Sequence, residues 1–205
     1  MKQMIKHIIL LLFLAWGGAC FSQSVQNDGN IALNWEIYDP RFDGAEVDAQ
    51  LNEIAAFIKE NLQEIYLVTG HVDERWRGPY SVKLTLKRAQ WVTQSLLERL
   101  GDVDVIMIPI DLEDKCPRIP HAKTEEEHAC NRRVAVQTYS PNLYHGKCAI
   151  RVEHEVSRRL LSEEAYATYW RKYEAMKKPG KKMSERKCEK VAAKLRRLRE
   201  DLMGK

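Results

Sequence analysis

The stretch Gly70–Val92, GHVDERWRGPYSVKLTLKRAQWV, decides the fold of this chain. It follows the short apolar run Ile65–Thr69, which predicts a buried strand, and it leads through a polar loop into a helix predicted at 80–100. This unit places a carboxylate, Asp73, at the end of the strand and a guanidinium, Arg88, on the inner part of the helix. An opposed anion and cation at the mouth of such a unit suit a zwitterionic ligand, such as a free amino-acid end.

The flanking sequence predicts the remaining elements. Apolar spacing indicates strands at 31–38, 103–110 and 132–138, a helix at 48–61, and a helical turn at 124–129 inside the polar loop 111–130. This order predicts an α+β fold, a two-layer α/β sandwich of β-α-β-α-β-β type with its helices on one sheet face. Beyond residue 140, two charged segments, 151–176 and 184–203, predict a basic C-terminal helical hairpin.

The N-terminus has the layout of a secretory signal peptide. Lys2 and Lys6 precede the apolar run Ile8–Trp16, which is followed by small residues and then by Cys20. We therefore expect export, with the leader at 1–23. Cys20 follows Gly-Gly-Ala, as in a bacterial lipobox, but Gly17 stands where that motif usually has an apolar residue, so lipidation at Cys20 and ordinary cleavage nearby both stay open.

Charge and composition divide the rest of the chain. Hydrophobic residues make up 44% of the 205 residues, enough for a packed core. The segment 142–205 contains 18 Lys and Arg against 9 Asp and Glu, whereas the net charge of the whole chain is +4. We expect a domain at 31–140 and a basic helical extension at 142–205. The extension suits an anionic membrane surface or polymer, and export makes nucleic acid the least expected partner.

Four cysteines remain after Cys20: Cys116, Cys130, Cys148 and Cys188. An even number in an exported protein predicts two disulfides. Three pairings are possible, and we favour Cys116–Cys130 with Cys148–Cys188. The alternative is a zinc site formed by Cys116, Cys130, His121 and His128, but the spacing lacks a tight C-x-x-C pair. We expect no metal and no cofactor.

The motifs together resemble those of the OmpA-like domain, the peptidoglycan-anchoring module of Gram-negative envelopes. The chain shows GHVD after a strand, then YS-x-x-LTLKRA-x-x-V on a helix, and TEEEHACNRRVAV before the last strand. The family has GHTD, Y-N-x-x-LS-x-x-RA-x-x-V and a terminal NRRV in the same order. The match runs from about Ile31 to Thr138. It also supports a disulfide in the loop before the last strand, where some family members carry one.

The resemblance implies a binding site for the diaminopimelate of the peptidoglycan stem peptide. In the family, the aspartate and the helix arginine hold this residue, which assigns the roles to Asp73 and Arg88. A carboxylate pairs with the ligand's ammonium, and a guanidinium takes its carboxylate through two parallel hydrogen bonds. The start of the predicted helix, at Tyr80 and Ser81, would add backbone N–H groups. One arginine of the NRRV motif, Arg132 or Arg133, should point toward the site, because neighbours on a strand face opposite ways.

Three departures from the family pattern bear on the ligand. Val72 replaces a threonine, Ser81 replaces an asparagine, and the loop after Asp73 carries Arg75, Trp76 and Arg77 in place of small polar residues.

Two functions follow from the sequence. The first is a non-catalytic protein in the periplasm, or on the periplasmic face of the outer membrane, that binds peptidoglycan and links it to a lipid anchor or an envelope protein. The alternative is an interaction subunit of an envelope complex that has lost wall binding. His71 could suggest catalysis with Asp73, but the chain shows no nucleophile paired with a base.

Overall fold

The computed structural model describes residues 25–27, 30–32, 34–37, 45–62, 65–75, 79–141, 143–177 and 182–204. The predicted signal peptide, Cys20 and the loop residue Trp76 lie outside these residues. The strands are β1 (Val25–Asn27), β2 (Asn30–Ala32), β3 (Asn34–Ile37), β4 (Ile65–His71), β5 (Ile106–Glu113) and β6 (Val134–Thr138). The helices are α1 (Ala45–Glu60), α2 (Pro79–Leu100), α3 (Glu125–Asn131), α4 (Gly146–Leu160), α5 (Glu163–Met176) and α6 (Glu185–Met203).

Four strands form a mixed sheet in the order β3-β6-β4-β5, and β1 and β2 pair separately. β4 and β5 are parallel, joined by the crossover helix α2, whereas β6 is antiparallel to both β3 and β4. Pro109 lies within β5, which it can do because β5 is an edge strand and needs fewer ladder hydrogen bonds. The parallel arrangement brings the C-terminal ends of β4 and β5 to one edge of the sheet.

Helices α1 and α2 cover one face of the sheet. The apolar residues that share one face of α1 by their spacing are all buried: Leu51, Ile54, Ala55 and Ile58. They pack in one core with the inner face of α2 and with Tyr66 and Val68 of β4. The predicted α+β sandwich is therefore confirmed.

The opposite face of the sheet is covered as well. Val152 and Val156 of α4 pack against Leu67, Ile108 and other residues of β4 and β5. All of β4 beyond Ile65 is buried for this reason, as expected for a strand with both faces covered. The C-terminal helices form a further core of their own between α4, α5 and α6. They thus add a third layer to the sandwich.

Several boundaries differ from the prediction. The strand predicted at 31–38 is divided into β2 and β3, α1 begins at Ala45, and β6 begins at Val134. The segment 151–176 is two helices, because Ser162 begins a new one: its hydroxyl accepts a hydrogen bond from the Ala165 N–H at 3.3 Å. The extension therefore contains α4, α5 and α6 within the described residues, not a hairpin. β5 begins and ends three residues later than predicted, at Ile106 and Glu113. The predicted stop of α2 is confirmed at Gly101, whose positive φ of 66° suits a glycine after a helix.

The predicted disulfide pairing was wrong. Cys116, in the loop after β5, is bonded to Cys148 on α4. Cys130 is disulfide-bonded as well, and Cys188 is a buried free thiol. The physical reason is the docking of α4 on the sheet, which brings the first turn of α4 beside the end of β5. No helix in the described residues is long and apolar enough to cross a membrane.

Candidate functional site

The end of β4 lies directly against α2. A Cβ added to Gly70 would stand 2.2 Å from the carbonyl oxygen of Thr85, so only glycine allows this approach. Asp73 follows Gly70 by three residues, and Arg88 follows Thr85 by nearly one helical turn. The contact therefore brings the strand end that carries Asp73 to the helix segment that carries Arg88. Arg88 is half-buried on α2.

Asp73 is a fully buried carboxylate held by two arginines. Its Oδ1 accepts hydrogen bonds from the backbone N–H of Arg75 at 3.0 Å and from Nε of Arg75 at 3.1 Å. Its Oδ2 accepts from Nη2 of Arg75 at 2.9 Å and from Nη1 of Arg132 at 2.7 Å. Burial alone would raise the pKa of Asp73, but the hydrogen bonds from Arg75 and Arg132 lower it to about 2. The carboxylate is therefore ionised at neutral pH.

Glu125, the first residue of α3, joins the two arginines from the solvent side. Its carboxylate lies 2.9 Å from Nη1 of Arg75 and 2.7 Å from Nη2 of Arg132. A capping box formed by Thr124 and Glu127 fixes the start of α3. We call Asp73, Arg75, Glu125 and Arg132 the charge cluster. Within it, two cations stand between a buried anion and an exposed one.

The two arginines of the NRRV motif are directed to different places. Arg132 enters the charge cluster, whereas Arg133 is buried and its Nη1 lies 3.5 Å from the carbonyl oxygen of Asn131. Asn131 itself bonds both backbone groups of Ile119, each at 2.9 Å. It thereby holds the loop after β5 against α3.

The predicted residues at the start of α2 differ in exposure. Tyr80 is 67% exposed, whereas Ser81 is buried. The carbonyl oxygen of Ser81 accepts a hydrogen bond from the Thr85 hydroxyl at 2.9 Å. Tyr80 is thus the residue of this pair that faces solvent and can contact a ligand without rearrangement.

His71 belongs to a buried polar network. Its Nε2 lies 3.0 Å from the hydroxyl of Thr69, which lies 3.0 Å from the hydroxyl of Tyr144. Tyr144 donates in turn to Gln137 at 2.6 Å. Burial, and then the charge of Arg133, lower the pKa of His71 well below its usual value. These contacts give His71 a role in joining β4 to the segment before α4.

Cys116 and Cys130 are both disulfide-bonded, so neither offers a thiolate to zinc. In the described residues, no three His, Cys, Asp or Glu side chains are placed to hold a metal ion.

Two members of the charge cluster were missed by sequence reasoning. Arg75 was noted only as a departure in the loop, and Glu125 only as part of an acidic run. A signal for the first existed, because an arginine two residues after a buried aspartate can turn back onto it. Glu125 reaches the cluster through the packing of α3, which local spacing does not show.

Comparisons with solved structures find partial likenesses over about half of the chain. The peptidoglycan-associated lipoprotein from Burkholderia pseudomallei is 26% identical over 51% of this chain and 86% of that chain, with a TM-score of 0.40. The cell wall anchor of the T6SS from Pseudomonas aeruginosa is 28% identical over 47% of this chain and 68% of that chain, also at 0.40. The OmpA-like domain of FopA1 from Francisella tularensis is 18% identical over 59% of this chain and 84% of that chain, at 0.42. No family model matches the chain, and no curated protein matches it.

Proposed function

We propose that this chain is a non-catalytic, exported envelope protein that binds peptidoglycan through the diaminopimelate of the stem peptide. Asp73 receives the ammonium of that residue, and Arg88 receives its carboxylate. The observation that carries the proposal is the buried, ionised carboxylate of Asp73 beside the α2 segment that bears Arg88. The motif resemblance supports the same pair. The bound wall is linked either to the outer membrane, through a lipid on Cys20, or to an envelope protein partner.

Binding proceeds by exchange of one cation for another at Asp73. Arg75 is 46% exposed at its side chain, so it can leave, whereas Arg132 is only 23% exposed and stays. The ligand's ammonium then takes the place of the Arg75 guanidinium. Arg75 keeps Glu125 as its counter-ion, so the exchange leaves no buried charge unpaired.

The test is co-sedimentation of the mature protein with purified peptidoglycan, with small free amines as competitors. We expect diaminopimelate to displace the protein and 1,5-diaminopentane to fail at the same concentration. 1,5-Diaminopentane keeps both ammonium groups of diaminopimelate but has no carboxylate for Arg88 to bind. Equal displacement by both compounds, or by neither, would contradict the proposed recognition.

Arg75→Ala is expected to tighten binding to the wall about three- to tenfold. The variant removes the internal cation that competes for Asp73, so a larger fraction of the protein is ready to bind. The dissociation constant from sedimentation is the measurement. Arg158→Ala, which removes an exposed guanidinium on α4, serves as the control and should leave affinity unchanged. Weaker binding of Arg75→Ala would show that Arg75 contacts the ligand.

The internal pairing of Asp73 also favours a second candidate. If Arg75 occupies Asp73 permanently, the chain is an interaction subunit of an envelope complex without wall binding. In that case the wild type does not sediment with peptidoglycan and co-purifies with a defined envelope partner instead.

A further inference from the structure

A cavity of about 570 Å³ opens between the edge of the sheet and the C-terminal helices. Val82 of α2 and Asp111 of β5 line it on the sheet side, and α4, α5 and the start of α6 line the other side. The cavity thus begins next to the α2 residues of the candidate site. A concave, partly apolar space with a few polar groups is the usual form of a small-molecule site.

His154 lies in the wall of this cavity with unused polar atoms. It is 8% exposed, and neither ring nitrogen has a hydrogen-bond partner in the described part of the chain. The pKa of His154 is lowered to about 4, first by burial and then by Lys177 and Arg151. The neutral ring therefore offers one donor and one acceptor at pH 7. Both nitrogens are covered, so a ligand in the cavity would bond them after a rotation of the ring, and it would satisfy polar atoms that are costly to leave unused.

Aromatic rings surround this imidazole. The centroids of Tyr169, Trp170 and Tyr173 lie 5.5, 4.9 and 4.2 Å from that of His154. Trp170 is 41% exposed and lines the cavity, whereas Tyr173 is buried. The partly exposed indole is therefore available for contact with whatever enters.

Cations outnumber anions around the cavity. Lys115, Lys147, Arg151 and Lys177 line it together with the carboxylate of Asp111, which Arg151 pairs at 2.6 Å. Lys177 pairs with Glu174 at 2.6 Å, but both side chains are partly exposed, so an entering anion can replace that carboxylate. Lys177 lies 4.4 Å from the ring centroid of Tyr173 and 5.7 Å from that of Trp170. An anionic group that enters the cavity would thus meet ammonium groups close to the aromatic wall.

We propose that this cavity binds a pyranose sugar that carries an anionic substituent, either a carboxylate or a phosphate. The C–H face of the sugar ring lies on Trp170, its hydroxyl or amide groups bond His154, and its anion lies between Lys147 and Lys177. Such a sugar is matched by all three features: an aromatic ring for its C–H face, a hydrogen-bond donor and acceptor for its polar groups, and clustered cations for its anion. The choice of a wall glycopeptide as the first probe rests on the proposed function. The site is argued from the residues of the cavity and does not depend on that function.

The experiment is calorimetric titration of the mature full chain with two sugars and one amino acid. The first sugar is a soluble wall disaccharide that carries a diaminopimelate-containing tripeptide, and the second is a bisphosphorylated glucosamine disaccharide. The amino acid is free diaminopimelate. We expect Trp170→Ala to weaken binding of the sugar about five- to tenfold and to leave binding of free diaminopimelate unchanged. Trp91→Ala, which removes an indole 39% exposed on α2 outside the cavity, should change neither.

His154→Phe provides a second variant that keeps the size and apolar packing of the ring but removes both nitrogens. We expect His154→Phe to weaken binding of the sugar as much as Trp170→Ala does. Dependence on Trp170 for the wall fragment assigns the anion to the stem peptide, and dependence for the phosphorylated disaccharide assigns it to a lipid headgroup. Absence of binding by both sugars, or equal affinities of Trp170→Ala and Trp91→Ala, would overturn the proposal. If Arg88 variants lose binding of free diaminopimelate and nothing else changes, the result tests the proposed function and does not bear on the cavity.

Discussion

Replacing Glu153 with alanine is expected to lower the free energy of unfolding by about 3–5 kcal/mol. Glu153 is 2% exposed on α4. Its carboxylate accepts hydrogen bonds from Arg199 at 2.7 Å, from Arg196 at 3.0 Å and from the Tyr139 hydroxyl at 2.9 Å. Arg199 is itself buried, so the variant leaves a guanidinium in the interior without its carboxylate. Urea denaturation followed by circular dichroism measures the loss.

Glu174→Ala is the matched control, because its pair with Lys177 is about half exposed on both sides. Such a surface pair contributes about 0–1 kcal/mol. A double variant, Glu153→Leu with Arg199→Met, should recover much of the loss, because it removes the buried charge together with its partner. If Glu153→Ala behaves like Glu174→Ala, the network does not hold the C-terminal helices on the sheet.

The network also explains why the C-terminal extension is more than a basic appendage. It joins α4 and α6 to Tyr139, which follows β6 directly, and the Arg199 guanidinium lies 5.3 Å from the centre of the Tyr139 ring. The sequence showed the charges and the narrow apolar stripes of these helices. It did not show that Glu153 and Arg199, 46 residues apart, share the interior. Burial of an ion pair depends on tertiary packing, and no local period reveals it.

The fold was predictable where a single hydrophobic periodicity, that of a strand or of a helix, dominates a segment. β4, α1 and α2 each combine a clear apolar pattern with a recognisable end, such as Gly101. The prediction failed in two kinds of place. In one, a polar side chain caps a helix; in the other, segments far apart in the sequence pack together. Ser162 divides the predicted helix 151–176, although a serine followed by two glutamates is a readable start signal. The partner of Cys116 required knowledge of where α4 docks.

Motif order predicted which residues to consider for the candidate site, but it did not predict how their charged groups are paired. Spacing places Asp73 at a strand end and Arg132 before the last strand, and the structure joins them by a hydrogen bond. The turn of Arg75 back onto Asp73 depends on loop geometry. The contribution of Glu125 depends on α3. Both contacts bear on the proposed function, because they decide whether Asp73 is available to a ligand.

Arg88→Ala and Asp73→Asn are each expected to weaken binding to peptidoglycan by about 2–5 kcal/mol, because each leaves one charge of the ligand without its partner. Asp73→Asn keeps the shape of the side chain and removes only the charge. Lys87→Ala is the control, since it removes an exposed cation from the neighbouring position on α2. Co-sedimentation with purified wall measures affinity, and thermal melting establishes that each variant is folded.

Comparison of Arg88→Ala with Lys87→Ala distinguishes specific recognition of the ligand from general charge attraction. If the wall is held by specific pairing, Arg88→Ala loses binding at every salt concentration while Lys87→Ala retains it. If the wall is held by the general positive charge of the extension, both variants bind alike and affinity falls steeply as salt rises. Asp73→Asn sharpens the contrast, because removing an anion strengthens attraction to an anionic polymer. Weaker binding by Asp73→Asn therefore requires that its carboxylate contacts a cation of the ligand, whereas stronger binding refutes the assignment of Asp73.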